Sequence, residues 1–180
     1  MGEALLGQLS GEESMTGRAT IVLLGLFALG AKGVLHSASG ADVGKIEVKQ
    51  EATGVRIKVA VHGLPPGRHG LHVHANRSCG TPTDSAGPFA GAGPHFDPMQ
   101  KNFHAGPNGI GHAGDLGNII VGADGTGRLE LTESRVNLFS DSTSIMGHAV
   151  ILHANPDNLG NSPANGGSGA RLACAVLEKD

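Results

Sequence analysis

The sequence predicts an all-β protein, an antiparallel sandwich or barrel, on three observations. Apolar and polar residues alternate with a period of two in short runs, glycine-rich turns separate those runs, and no amphipathic helical pattern follows residue 40. With no Trp, no Tyr and five Phe, the core must be filled mainly by Val, Ile, Leu and Ala; thirty Gly supply turns and close backbone approaches.

The strand pattern starts at Lys45. Ile46 and Val48 alternate with Glu47 and Lys49; after a turn at Ala52-Thr53-Gly54, Val55, Ile57, Val59 and Val61 alternate with Arg56, Lys58 and Ala60. His72 and His74 fall two apart on a further apparent strand. Residues 118–122 and 127–131 flank Asp124-Gly125 and predict a second hairpin. Short apolar runs at 149–153 and 173–177 complete the set. Two stretches rich in Gly, Pro, Asn and Asp, 76–115 and 154–170, read as loops. The first is 40 residues long. A loop of that length inside a compact domain is usually functional and needs something to hold it.

The N-terminal segment has a different composition. Residues 21–31 form an uncharged apolar run, too short to span a bilayer, preceded by Arg18 and ending in the small residues Ala28, Gly30 and Ala31. These features predict a secretory signal cleaved near Gly30 or Ala31, and hence a division into 1–31 and a domain of 32–180. Glu3, Glu12 and Glu13 do not suit the charged head of such a signal, whereas a start at Met15 gives Met15-Thr16-Gly17-Arg18. The alternative is an N-terminal helix packed on the domain.

The net charge of -3 argues against a broad nucleic-acid surface. Cys79 and Cys174 stand 95 positions apart, unlike a zinc knuckle or a redox Cys-x-x-Cys, and suit one long-range disulfide in an oxidising compartment; two buried thiols are the alternative. Ten His are the most informative feature. His72 and His74 leave one strand face and can converge on an ion, although such a pair also fits a structural role. His95, His104, His112 and Asp115 fall in the long loop, and His153 ends a later strand. Imidazole suits copper and zinc, and a carboxylate among histidines suits four-coordinate zinc. His72, His74 and His153 group by their strands, His104, His112 and Asp115 by their loop, and His95 can serve either group.

Four ordered motifs, Gly70-Leu71-His72-Val73-His74, Gly93-Pro94-His95-Phe96-Asp97-Pro98, Gly111-His112-Ala113-Gly114-Asp115-Leu116-Gly117-Asn118 and Gly169-Ala170-Arg171-Leu172-Ala173-Cys174, resemble those of copper/zinc superoxide dismutases, in particular the bacterial, exported type. The resemblance runs from about Ala31 to Leu177. It implies a Greek-key, immunoglobulin-like barrel or sandwich that converts superoxide to dioxygen and hydrogen peroxide. It implies copper on His72, His74, His95 and His153, and zinc on His95, His104, His112 and Asp115, with His95 bridging. It also implies a Cys79–Cys174 disulfide, Arg171 as anchor for the superoxide anion, and Asp157 as a carboxylate bonded to His72 and His104. His36, His62, His69 and His148 match no ligand position.

The stretch 161–168, Asn-Ser-Pro-Ala-Asn-Gly-Gly-Ser, departs from the family pattern: it is short and lacks the Glu and Lys thought to guide superoxide inward. The resemblance allows a homodimer, gives no reason to expect nucleic acid or a membrane span after processing, and fits a periplasmic or secreted location. The rival function is an exported copper/zinc-binding protein with little turnover.

Overall fold

The computed structural model describes residues 29–81, 84–107, 109–139 and 141–180; residues 1–28, which hold most of the expected export signal, lie outside them. Among the described residues the strands are β1 (Gly30–Ser37), β2 (Asp42–Glu51), β3 (Gly54–Val61), β4 (Gly67–Val73), β5 (Asp115–Val121), β6 (Gly127–Glu133), β7 (Ala149–His153), β8 (Arg171–Val176) and β9 (Glu178–Lys179). One short 3₁₀ turn, Ala90–Ala92, is the only helical element among them. Eight strands close in the order β1-β2-β3-β6-β5-β4-β7-β8 and back to β1, with β9 added beside β1. Every pair is antiparallel. The non-consecutive neighbours β3–β6 and β4–β7 give the barrel its Greek-key character.

The alternating runs fold as their pattern dictates. In β2 and β3, Ile46, Val48, Val55, Ile57, Val59 and Val61 are buried, while Lys45, Lys49, Arg56 and Lys58 face solvent. The register pairs Ile46 with Val59 and Val48 with Ile57, so each core residue meets another across the ladder. Outside, Arg56 pairs with Glu51 and Lys58 lies 3.5 Å from Glu130. Exposed pairs of this kind contribute little beyond solubility.

Three sequence expectations are revised. β1 was not expected as a strand. Its residues Gly-Ala-Lys-Gly-Val-Leu-His-Ser carry few β-branched side chains, yet Ala31 and Leu35 are buried and β1 pairs with β2 from Gly30 onward. The hairpin at Asp124-Gly125 pairs over a shorter length than expected, because β5 and β6 share one register pair, Val121 with Gly127, before β6 turns to β3. His74 lies just beyond β4, in an isolated bridge to His95.

β7 is buried on both faces. Val150 and Leu152 join the barrel core, whereas Ala149 and Ile151 face outward into a second cluster with Phe89, Ala92 and Cys174. The connection between β4 and β5 thus lays an apolar lid on the outside of the barrel. The Cys79–Cys174 disulfide, spanning 95 positions, fastens that lid to β8. Cross-linking a loop of this size stabilises a fold by roughly 4–5 kcal/mol in the chain-entropy model. The Cys79→Ser/Cys174→Ser protein is therefore expected to unfold at clearly lower urea concentration, with a loss of about 3–5 kcal/mol from the fitted stability. An unchanged midpoint would mean that the apolar cluster alone holds the lid.

Candidate metal centre

The site lies where both long connections fold back over one end of β4 and β7. His72 is in β4, His153 ends β7, and His74 and His95 face each other in their bridge. His104 and His112 come from the connection ahead of β5, and Asp115 is the first residue of that strand. His72, His74, His104 and Asp115 are at most 1% exposed, and His153 and His95 are buried with them.

Each ring is held by one nitrogen. His72 Nε2 and His104 Nε2 each lie 2.8 Å from a different oxygen of Asp157. His74 Nδ1 donates to the Gly93 carbonyl at 2.8 Å, and His153 Nδ1 to the Gly169 carbonyl at 3.2 Å. Donation outward fixes the tautomer and leaves the other nitrogen's lone pair turned inward. Those inward atoms, His72 Nδ1, His74 Nε2, His104 Nδ1 and His153 Nε2, are buried without hydrogen-bond partners, as is His112 Nδ1. A buried polar atom left unpaired costs about 1–3 kcal/mol, and five in one place are tolerable only if something with positive charge meets them.

The inward atoms form two sets, each with all donor atoms within 4.8 Å of one another: His72, His74, His95 and His153, and His72, His95, His104 and Asp115. On the second side three Nδ1 atoms crowd Asp115 Oδ1, from His95 at 2.8 Å, His104 at 3.0 Å and His112 at 3.4 Å. The last two are out of hydrogen-bonding alignment. Four ligands at about 2.0 Å from a tetrahedral zinc sit about 3.3 Å apart, so this spacing fits one small ion. An all-imidazole set fits copper. His112 is outside the tight second set and reaches it only through Asp115; His72 takes part in both sets.

The chain matches the copper/zinc superoxide dismutase (SODC) family over residues 43–177. It belongs to that family. It is 38% identical over 150 residues to the superoxide dismutase [Cu-Zn] of Deinococcus radiodurans, an alignment covering 80% of this chain and 81% of the relative. It is 40% identical over 149 residues to superoxide dismutase [Cu-Zn] 1 of Salmonella typhimurium, covering 81% and 82%. The solved Cu/Zn superoxide dismutase from Brucella abortus superposes with a TM-score of 0.71 at 30% identity, over 83% of this chain and 99% of that one.

In this superoxide dismutase a cleft of about 700 Å³ leads to the site, lined by His74, His95, His112 and His153 and by residues of both long connections. Arg171, the first residue of β8, is the only Lys or Arg on its wall among the described residues. Its guanidinium donates to the carbonyls of Phe89 and Gly93 at 2.5 and 2.6 Å. Gly93 oxygen therefore accepts from both Arg171 and His74. Sequence reasoning missed Asn118, whose side chain accepts from Asp157 N at 2.7 Å and donates to Asp157 O at 2.9 Å, holding the bridging carboxylate in place. Its position in Gly-Asp-Leu-Gly-Asn was visible, but its partner lies 39 residues away. His69 and His148 are buried and bonded to backbone carbonyls, and His36 and His62 are exposed, as their lack of a ligand match implied.

Burial drives three rings toward neutrality, in His72 and His153 against the opposing pull of Asp157: His72 to about 3, His74 to about 2 and His153 to about 4. Burial also opposes the charge on His104, but two carboxylates, Asp115 at 3.0 Å from Nδ1 and Asp157 bonded to Nε2, outweigh it and raise that ring to about 9. Against their own burial, Asp115 and Asp157 are held below the usual carboxylate range, chiefly by hydrogen bonds from His104 and its neighbours. In metal-free protein the signs follow. Between about pH 4 and 6.5, His72, His74 and His153 bind protons only in the unfolded chain, so each lowers stability by up to about 1.4 kcal/mol for every unit that pH drops. His104 acts oppositely: its contribution is complete below about 6.5 and is lost as pH rises through about 9. Urea midpoints of the metal-free protein should peak near pH 6.5, decline as pH rises toward 9 and drop steeply toward pH 4. A flat profile on the acid side would show that the rings are not kept neutral by the fold.

Proposed function

We propose that this dismutase holds copper on His72, His74, His95 and His153 and zinc on His95, His104, His112 and Asp115, with His95 serving both ions and Arg171 docking the substrate. The observation that carries this reading is the pair of donor sets that share His95, each lined by ring nitrogens without partners. His72 also falls in both sets, but its Nε2 is taken by Asp157, which leaves only Nδ1 for an ion. His95 Nδ1 faces Asp115, and its Nε2 is free for the all-histidine side.

The reaction oxidises one superoxide to dioxygen and reduces a second, with two protons, to hydrogen peroxide. Copper, when bound, supplies the one-electron exchange with each superoxide in turn. Arg171, permanently charged and half-buried at the cleft wall, attracts and orients the anion with donors pre-positioned by the Phe89 and Gly93 carbonyls. When it is not holding the ion, His95 Nε2 would take a proton from solvent and yield it to the second superoxide, the other proton coming from water in the cleft. The ring's other side is kept in place by the zinc-side residues.

The domain reading extends this proposal. Residues 1–31 serve as an export signal and 32–180 form the enzyme, working in a periplasmic or secreted setting. The long-range disulfide supports an oxidising compartment. The proposed cleavage near Gly30 or Ala31 meets the start of β1, where Ala31 pairs with Val48.

Loaded with copper and zinc, the protein should dismutate superoxide rapidly, and Arg171→Ala should lower kcat/KM by roughly 10- to 150-fold, the equivalent of one charged hydrogen bond, at unchanged metal content. Pulse-radiolysis kinetics on both proteins would check this. A loaded protein no faster than the stripped one would instead favour a metal-binding protein with little turnover. His112→Ala should cut zinc occupancy, measured by elemental analysis after dialysis against a chelator, while copper stays bound.

A further inference from the structure

We propose that Arg135 is a positioning residue for zinc: its guanidinium is the template on which the loop bearing His104 and His112 closes, so that the loop meets the ion already folded. The inference rests on the zinc reading above and concerns a residue outside every donor set.

Arg135 lies two residues past the buried Glu133 that ends β6. Its Nε and Nη2 donate to the two Glu133 oxygens at 2.8 and 2.7 Å, and its own backbone N–H caps Oε1 at 2.9 Å. The rest of the fork points into the loop. Nη1 donates to the carbonyls of Gly109 at 2.8 Å and His112 at 3.0 Å, with Gly111 at 3.5 Å. Nη2 also approaches the Asp115 carbonyl at 3.4 Å and that of Gly106 at 3.5 Å. One side chain thus gathers a carbonyl at the start of β5 and four from the loop ahead of it, whose described residues from 104 to 112 form no regular strand or helix.

Ordering a residue's backbone costs about 1–2 kcal/mol, and without a scaffold that cost would fall on metal binding. Arg is suited to such a scaffold because it is always charged and its planar fork presents five donors, whereas Lys offers three donors at one point. Glu133 balances the charge, so the pair shapes the loop without adding net charge beside Asp115. Two zinc-side residues, His112 and Asp115, are themselves held by their carbonyls, so a shift of Arg135 moves their backbone directly. The copper-side residues His74 and His153 are held from elsewhere, by Gly93 and Gly169.

The test uses full-length protein and two variants. Arg135→Lys keeps the charge opposite Glu133, and Glu133→Gln/Arg135→Met removes the pair together, so neither strands a buried carboxylate. Zinc and copper affinities are measured separately by chelator competition, cobalt(II) absorption reports geometry at the zinc position, and amide exchange is followed across the loop in metal-free protein. We expect zinc affinity to fall by about 10- to 100-fold with copper affinity retained, a weakened tetrahedral cobalt spectrum, and faster exchange in the loop. Zinc affinity equal to the parent's in both variants, or an equal loss of copper and zinc, would overturn the inference. His112→Ala separates the two readings. If it abolishes zinc binding while the Arg135 variants do not, only the positioning role fails; if it leaves zinc bound, the ligand assignment itself fails.

Discussion

The arrangement of the site depends on one buried carboxylate. Asp157 has no exposed side-chain surface, and each of its oxygens takes a ring nitrogen, His72 Nε2 on one side and His104 Nε2 on the other. An ionised carboxylate at that depth is tolerable only when fully paired. Asp157 gains a further bond from Leu159 N at 2.7 Å and has its backbone clamped by Asn118. The barrel strand β4, the loop ahead of β5 and the connection after β7 therefore meet at one charge. Gly166 shows how closely they meet: a Cβ there would lie 2.6 Å from both Asp157 Oδ1 and His104 Nε2. A side chain at that position would push apart the two groups that orient the metal-side nitrogens.

The barrel supplies rigidity and the loops supply chemistry, and the two are joined on the outside of the sheet. Because β7 is buried on both faces, its outer residues Ala149 and Ile151 give the long connection an apolar seat, and the disulfide holds the connection on it. The same lid presents the Phe89 and Gly93 carbonyls to Arg171. Lid, disulfide and cationic side chain thus form one mechanical unit, connected to the metal side through Gly93 and His74.

The parts legible in the sequence were those with local signals. Alternation marked β2 and β3 almost residue by residue, because each is half-buried and period two survives there. The residues of the two donor sets were legible as candidates because His and Asp in fixed motifs carry chemistry that composition alone does not dilute. β1 was missed because its glycines and short side chains follow the apolar leader-like run without a break. The one-pair contact of β5 with β6 was hidden because barrel closure, not turn chemistry, sends β6 to β3. Asn118 and Arg135 share a different obstacle. Each acts on backbone groups far along the chain, and a side chain that serves distant carbonyls leaves no periodicity or spacing to read.

The missing guidance charges bear on how an anionic substrate reaches a protein of net charge -3. At physiological salt, exposed charges are screened over about 8 Å, so remote acidic residues weigh little at the mouth and the cleft wall decides the local field. On that wall Arg171 faces one carboxylate, Asp97, whose oxygens accept the backbone N–H groups of Lys101 and Asn102 at 3.0 and 2.8 Å. Those bonds fix Asp97 in its own loop. Arg171 keeps two donors on carbonyls and stays charged at the wall of the cleft. Its tie to Gly93, which also fixes the His74 ring, means that the Arg171 guanidinium and a ring of the all-histidine set are positioned by the same carbonyl. If Arg171 docks the anion as proposed, capture depends on where that one cation sits, and its placement is set by the Phe89 and Gly93 carbonyls of the disulfide-held lid.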